Sequence, residues 1–301
     1  MLARFPFFAE LPGAGLQFTI TRTVSQFPVS SPVIEVEYGN RSYWPIHPNK
    51  RSKTMTAQTT PSYTWGVIAP ARGDETGDAS PQSESLLPPD VLTLSNVLGI
   101  EDYTSQGVED AMGRYAGCVQ DLVSRGAQRV SLNGIPISVQ LGRQRILELI
   151  EDTEKTMGVP GDTAGEAVVA AMHHMGVKKI AVGSRWANQV NDALIKYLDH
   201  AGIEVLTMTS RGQWAQQAFS MSFEMGVKLA FELGREAMRQ SPQADALFLP
   251  GGAWRPLPAV PILEEDYDKP VFTNGNTRAW RLIHDGIAPP VTGWGRLLAT
   301  P

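Results

Sequence analysis

The chain has one cysteine, Cys118, in 301 residues. That excludes an intramolecular disulfide and any zinc site built on cysteine. Its five histidines, His47, His173, His174, His200 and His284, fall at no spacing that suits a metal, so none is expected. No apolar run approaches the roughly 18–20 residues of a membrane span. Positive charge is short as well. Against 31 Asp and Glu stand 26 Lys and Arg, a net charge of −5, which argues against a general nucleic-acid binder. On these absences a soluble, cytoplasmic protein is expected. What remains is an ordinary globular composition, 42% hydrophobic and 19% charged, on a chain long enough for one large α/β domain or two smaller ones.

Residues 1–60 read differently from the rest. Residues 5–15 and 26–34 hold apolar side chains at neither helical nor alternating spacing, and proline recurs. Pro6 and Pro12 interrupt the only stretch that resembles a secretory leader. Lys50, Arg51 and Lys53 form a small basic cluster. The stretch is expected to be a disordered extension, or a start assigned too early with Met55 as the true beginning.

From residue 65 onward strands and helices alternate. Strand patterns at 65–70, 91–98 and 129–132 surround an amphipathic helix at 104–124, on which Val108, Ala111, Met112, Tyr115, Val119 and Leu122 recur at helical spacing. After a helix at 163–175 the order repeats. Strands at 179–183, 203–208, 245–249 and 270–273 alternate with helices, including one at 222–239. Two such halves, offset by roughly 115 residues, imply parallel sheets covered by helices, with a crevice where their strand C-terminal ends face one another.

The turns after those strands hold the candidate chemistry. They are Ala71-Arg72, Asn133-Gly134-Ile135-Pro136, Ser184-Arg185-Trp186 and Pro250-Gly251-Gly252-Ala253-Trp254-Arg255. Glycine-rich turns present backbone N–H groups to a carboxylate or a developing enolate oxygen. Arg72, Arg185 and Arg255 offer planar forks for carboxylates, although any one of them also suits a solvated surface. Trp186 and Trp254 suit either the wall of a site for a planar ligand or core anchors, and the same holds for Trp280. Asp162 suits a general base or the N-cap of the helix at 163–175. Asp74, Glu75 and Asp78 sit in a glycine-rich loop that suits an acidic lid or plain solvation. No turn matches GxGxxG or the P-loop, so no nucleotide cofactor is expected.

Five stretches in order carry a resemblance. They are Leu86 to Val91; Gly183-Ser184-Arg185-Trp186 with Val190-Asn191; Leu249-Pro250-Gly251-Gly252; Lys269-Pro270-Val271 with Thr273-Asn274 and Trp280; and Gly293-Trp294-Gly295-Arg296-Leu297-Leu298. Together they resemble the aspartate/glutamate racemase superfamily, in its branch of maleate isomerases and arylmalonate decarboxylases. The resemblance implies two pseudo-symmetric Rossmann-like halves with parallel four-stranded sheets facing a central crevice. Residues 61–178, with 270–301 returning to them, form the first half and 179–269 the second.

It also implies cofactor-free chemistry on a carboxylic acid by cysteine thiols at the strand tips. Here those positions hold Pro250 and either Leu132 or Asn133, and Cys118 lies inside a helix pattern. The expected enzyme is therefore an isomerase, decarboxylase or other lyase acting on a small planar carboxylic acid with a non-cysteine acid or base. Asn133, Gly134, Gly251, Gly252 and Asp162 are the expected catalytic set. Arg72, Ser184, Arg185, Trp186, Pro250, Trp254 and Asn274 are the expected substrate contacts. A carboxylate-binding protein without turnover and a hydrolase that positions water on Asp162 stand as alternatives. Assembly into a homo-oligomer is left open.

Overall fold

The computed structural model of the protein describes residues 3–10, 17–24, 34–35, 60–71 and 86–301. Where the sequence pattern assigns residues 1–60 to disorder, the structure contains instead β1 (Ala3–Glu10), β2 (Gln17–Val24) and β3 (Ile34–Glu35), paired antiparallel in a sheet of their own. The reason is local. Residues 17–24 read QFTITRTV, an alternation rich in β-branched side chains that the flanking stretches lack. The basic cluster and Met55 lie outside the described residues.

The first α/β half comprises β4 (Tyr63–Ala69), β5 (Val91–Val97), α1 (Ser105–Met112), α2 (Tyr115–Ser124), β6 (Arg129–Leu132), α3 (Ile135–Leu141), α4 (Arg143–Met157), β7 (Gly161–Thr163) and α5 (Ala164–His174). The second comprises β8 (Lys179–Val182), α6 (Asn188–Asp199), β9 (Glu204–Met208), α7 (Ala215–Phe219), α8 (Phe223–Gln240), β10 (Ala246–Leu249), α9 (Val260–Tyr267), β11 (Val271–Thr273), α10 (Asn274–His284) and α11 (Arg296–Ala299). The sheets run β5-β4-β6-β7 and β9-β8-β10-β11, the same order, with every pair parallel. The rung Leu132–Thr163 in one matches Leu249–Thr273 in the other.

Three expectations are corrected. Residues 271–273 do not return to the first half, because β11 pairs with β10. The helix that follows does cross back, α10 packing along α5. The single helix expected at 104–124 is two, broken at Gly113 and Arg114. The apolar spacing runs in phase across the break, so periodicity alone does not register it. Asp162 is not the cap of the next helix. Thr163 is, its hydroxyl accepting from the Glu166 N–H at 3.2 Å, and Thr273 caps α10 in the equivalent way.

Both faces of the sheets are covered. Trp65 and Val67 of β4 join a core that runs on through the second half, while Ile68 joins a smaller one with Val119 and Leu122 of α2. The halves are joined by α3 against α6 and by α5 against α10. Helix α3 follows β6 and α6 follows the turn after β8, so the first of these contacts joins the helices that leave the C-terminal ends of two central strands.

Candidate active site

Two glycines mark the strand tips. Gly134 after β6 has φ 101° and Gly251 after β10 has φ 92°, conformations that side chains with a Cβ rarely adopt. A Cβ on Gly251 would lie 3.0 Å from Cζ2 of Trp186, and one on Gly134 would lie 2.8 Å from Cγ of Pro70. The turns are therefore packed tightly against neighbouring strand tips.

The turn after β8 is held from within. The Ser184 hydroxyl donates to Asn191 Oδ1 at 2.6 Å and accepts from the Trp186 N–H at 3.1 Å, while Asn191 Nδ2 donates to the Trp186 carbonyl at 3.0 Å. Ser184 has no exposed surface, so it shapes the turn and does not face a substrate. The turn after β10 is held by Trp254, also without exposed surface, whose Nε1 donates to the carbonyls of Pro250 and Gly251 at 2.9 and 2.8 Å. Gly226 of α8 backs this arrangement, since a Cβ there would lie 2.1 Å from the Trp254 carbonyl oxygen. Trp254 is thus an anchor and not a wall of the site, and Trp186 is 4% exposed beneath Gly251.

Backbone donors divide. The Gly251 N–H donates to Asn274 Oδ1 at 2.9 Å, so it is not free to hold an oxyanion, and Asn274 acts as its holder. No hydrogen bond from a described residue takes the Gly134 or Gly252 N–H.

What the turns leave unsatisfied is informative. Arg185 is 3% exposed, yet it pairs with no carboxylate among the described residues. One guanidinium nitrogen, Nη1, donates to the Trp214 carbonyl at 3.1 Å, and the buried Nε has no partner. Burial pulls its pKa down to about 10, partly offset by Tyr103, so it stays charged at neutral pH. A buried cation without a counter-ion is costly, and an anion from outside removes that cost. Oδ1 of Asn133, at the tip of β6, is likewise buried and unpaired.

Tyr103 is the residue that sequence reasoning could not place. It lies between β5 and α1 in the first half, and the charge of Arg185 in the second half acts on its phenol. Burial pushes its pKa up to about 12, against the lowering effect of Arg185. No periodic pattern marks such a loop residue.

Asp162 lies elsewhere. Its carboxylate is 3.3 Å from Arg281 of α10 and 3.9 Å from Arg129, which in turn pairs with Asp285. Its Oδ1 accepts from the Thr163 N–H at 2.8 Å. This is a buried ion cluster beneath α10, with Arg278 stacked over Trp65 beside it. The expected general base, and with it the water-positioning hydrolase, has no free carboxylate there. Arg255 donates to the Met221 carbonyl. Arg72 and the acidic loop with Asp74, Glu75 and Asp78 lie outside the described residues. Cys118 packs on α2 with Sγ 3.7 Å from the Val97 carbonyl oxygen, and burial raises its pKa. Among the described residues no group of histidine, cysteine or carboxylate side chains is placed to hold a metal, and no helix is long and apolar enough to cross a membrane.

Comparison with known proteins gives concordant matches. The family model described as arylmalonate decarboxylase matches residues 66–298. Arylmalonate decarboxylase of Bordetella bronchiseptica is 24% identical over 233 residues, which cover 77% of this chain and 94% of that protein. Unliganded arylmalonate decarboxylase superposes with a TM-score of 0.69 at 24% identity, over 80% of this chain and all of that one. A maleate cis-trans isomerase of Nocardia farcinica, carrying a covalently bound succinylcysteine intermediate, superposes with a TM-score of 0.64 at 15% identity, over 79% of this chain and 99% of that one.

Proposed function

Because the chain belongs to the arylmalonate decarboxylase family, we propose that it is a cofactor-independent enzyme that breaks or rearranges a bond at the carbon beside a carboxylate, on a small, planar carboxylic acid. The isomerase or lyase class follows from the family. The observation that carries the substrate class is Arg185, a buried guanidinium with an unpaired Nε. Its free edge suits one carboxylate, held by charge-assisted hydrogen bonds. The Gly134 and Gly252 N–H groups would stabilise the oxyanion that develops as the bond at carbon breaks. Asn133 Oδ1, an acceptor without a donor, suits a ligand that carries an O–H or N–H.

A carboxylate receptor without turnover is the second reading, and one observation favours it: Pro250 and Asn133 or Leu132 stand where the family resemblance puts thiols. A panel of malonates, maleate, other cis-enedioates and aromatic carboxylates, incubated in D₂O, separates the two. Release of CO₂, isomerisation or deuterium entry at carbon is expected with at least one member. Tight binding with no conversion and no exchange across the panel would establish the receptor instead.

The lone thiol has no part in this reading. Cys118→Ser is expected to keep turnover within a few-fold, and iodoacetamide is expected to react slowly with the folded protein, because a thiol with a raised pKa is mostly un-ionised. Rapid stoichiometric inactivation with protection by substrate would move the site to α2.

A further inference from the structure

We infer that Asn274 is a catalytic residue of this site, its Nδ2 donating to the carboxylate oxygen on which negative charge builds as the bond at carbon breaks. The inference rests on the proposed function and adds a side-chain donor to the two glycine N–H groups named there. Asn274 opens α10 one residue beyond the rung Leu249–Thr273, and Gly251 lies two residues beyond it on the neighbouring strand. The Gly251 N–H donates to Asn274 Oδ1 at 2.9 Å, which fixes the side chain beside the Pro250-Gly251 tip. A backbone N–H needs an oxygen, so this bond also decides which way round the amide stands: Oδ1 faces Gly251 and Nδ2 is turned from it. Among the described residues Nδ2 has no acceptor, and it keeps accessible surface.

The first half shows that the turn itself does not require this side chain. The rung Leu132–Thr163 corresponds to Leu249–Thr273, so Gly134 corresponds to Gly251 and Ala164 to Asn274. Alanine offers the Gly134 N–H no acceptor, and no described residue takes it. Gly134 nevertheless has φ 101°, close to the 92° of Gly251. The two tips keep one backbone shape with and without a side-chain acceptor. The second tip has a further brace in Trp254, whose Nε1 donates to the carbonyls of Pro250 and Gly251. What Asn274 adds is therefore its other end. It replaces a backbone donor at the strand tip with a carboxamide donor set further out.

That donor suits charge stabilisation. The Gly251 N–H draws electron density from the amide through Oδ1, which strengthens Nδ2 as a donor. A carboxamide does not ionise at neutral pH, so Asn274 gives up no proton and carries no charge to be desolvated. The same hydrogen bond holds it in place before the reaction starts, so little reorganisation is needed as charge appears on the oxygen. Its part is to lower the barrier while proton transfer belongs to another group.

The test compares Asn274→Asp and Asn274→Leu with wild type, in the full chain and on the panel above, reading kcat, KM and Tm. Asn274→Asp keeps an oxygen for the Gly251 N–H and removes the amide hydrogens, whereas Asn274→Leu removes both. The expected result is a loss of about a hundredfold or more in kcat for each variant, with the Tm of Asn274→Asp close to that of wild type. Repulsion between the new carboxylate and a substrate carboxylate appears in KM, and loss of the donor appears in kcat. If wild type turns over and Asn274→Asp keeps its kcat within about threefold, Asn274 only holds the turn, and the inference fails while the proposed function stands. A loss of kcat in Asn274→Asp alone would be an effect of charge and would also overturn it, as would a loss that follows a fall in Tm. If wild type binds the panel but converts none of it, the proposed function fails first and the inference falls with it.

Discussion

Arg185→Met is expected to abolish carboxylate binding and at the same time raise the melting temperature of the free protein. The two effects share a cause. Arg185 is 3% exposed and has no counter-charge among the described residues, so within them its buried charge is uncompensated. Exchange of a buried charge for an apolar side chain of similar length is neutral or stabilising. Burial lowers its pKa from the ordinary arginine value to about 10. A lowered pKa on a base means that its charged form is disfavoured in the fold, so the cost is fully present below about pH 10 and is relieved only above it. At neutral pH the arginine therefore weakens the fold in full, and methionine removes that cost. Binding moves the other way. Two charge-assisted hydrogen bonds to a carboxylate are worth about 2–4 kcal/mol, a loss of roughly 30- to 1,000-fold in affinity or in kcat/KM. Arg185→Lys keeps the charge without the planar fork and is expected to fall between. Calorimetric titration with a bound panel member, alongside thermal melts, reads both quantities. Unchanged affinity in Arg185→Met would remove the crevice assignment. A lowered Tm would mean that the guanidinium holds the fold together and does not wait for a ligand.

The fold was legible because parallel strands covered on both faces read as short apolar runs, as β4, β8 and β10 largely do. Their ends were legible too, since Asn133-Gly134 and Pro250-Gly251 break the pattern where the backbone takes a positive φ at Gly134 and Gly251. Weakly patterned elements escaped notice. Helix α4 buries only Ile146 and Thr153 along its length, and β7 has three residues, too few to show an alternation. For the site, residue type indicated who stands at the turns but not which way each group faces. Ser184 and Trp254 lie at the expected positions, yet their polar atoms are committed to the turns themselves. Asp162 and Arg281 are far apart in sequence, so no local pattern announces the ion pair that occupies the carboxylate. The electrostatic influence of Arg185 on Tyr103 acts between two halves of the molecule and is visible only once they are assembled.

That ion pair gives Asp162 a structural weight that a mutation should expose. Asp162→Ala would leave Arg129 and Arg281 facing a void in a buried cluster, and removal of one partner from such a cluster costs about 3–5 kcal/mol. In a chain of this size that lowers Tm by roughly 5–8 °C. Asp162→Asn keeps the volume and an Oδ1 that still accepts from the Thr163 N–H, so it is expected to cost clearly less. The pH dependence has a definite sign. Burial raises the Asp162 pKa above 3.8 despite the opposing effects of Arg281 and Arg129, so the folded state binds this proton more tightly than the unfolded chain does. The contribution of this carboxyl therefore grows as pH falls from the raised value toward 3.8 and diminishes as pH rises through that window. Asp162→Asn, neutral throughout, is expected to flatten the stability profile in that acidic window relative to wild type. Thermal melts of the three proteins between pH 4 and pH 7 measure both effects, with turnover recorded in parallel. If Asp162→Ala melts with wild type but loses turnover a hundredfold, the carboxylate belongs to the reaction. If it melts early, and Asp162→Asn recovers most of the loss together with turnover, the cluster is what holds α10, and with it the second half, against the first sheet.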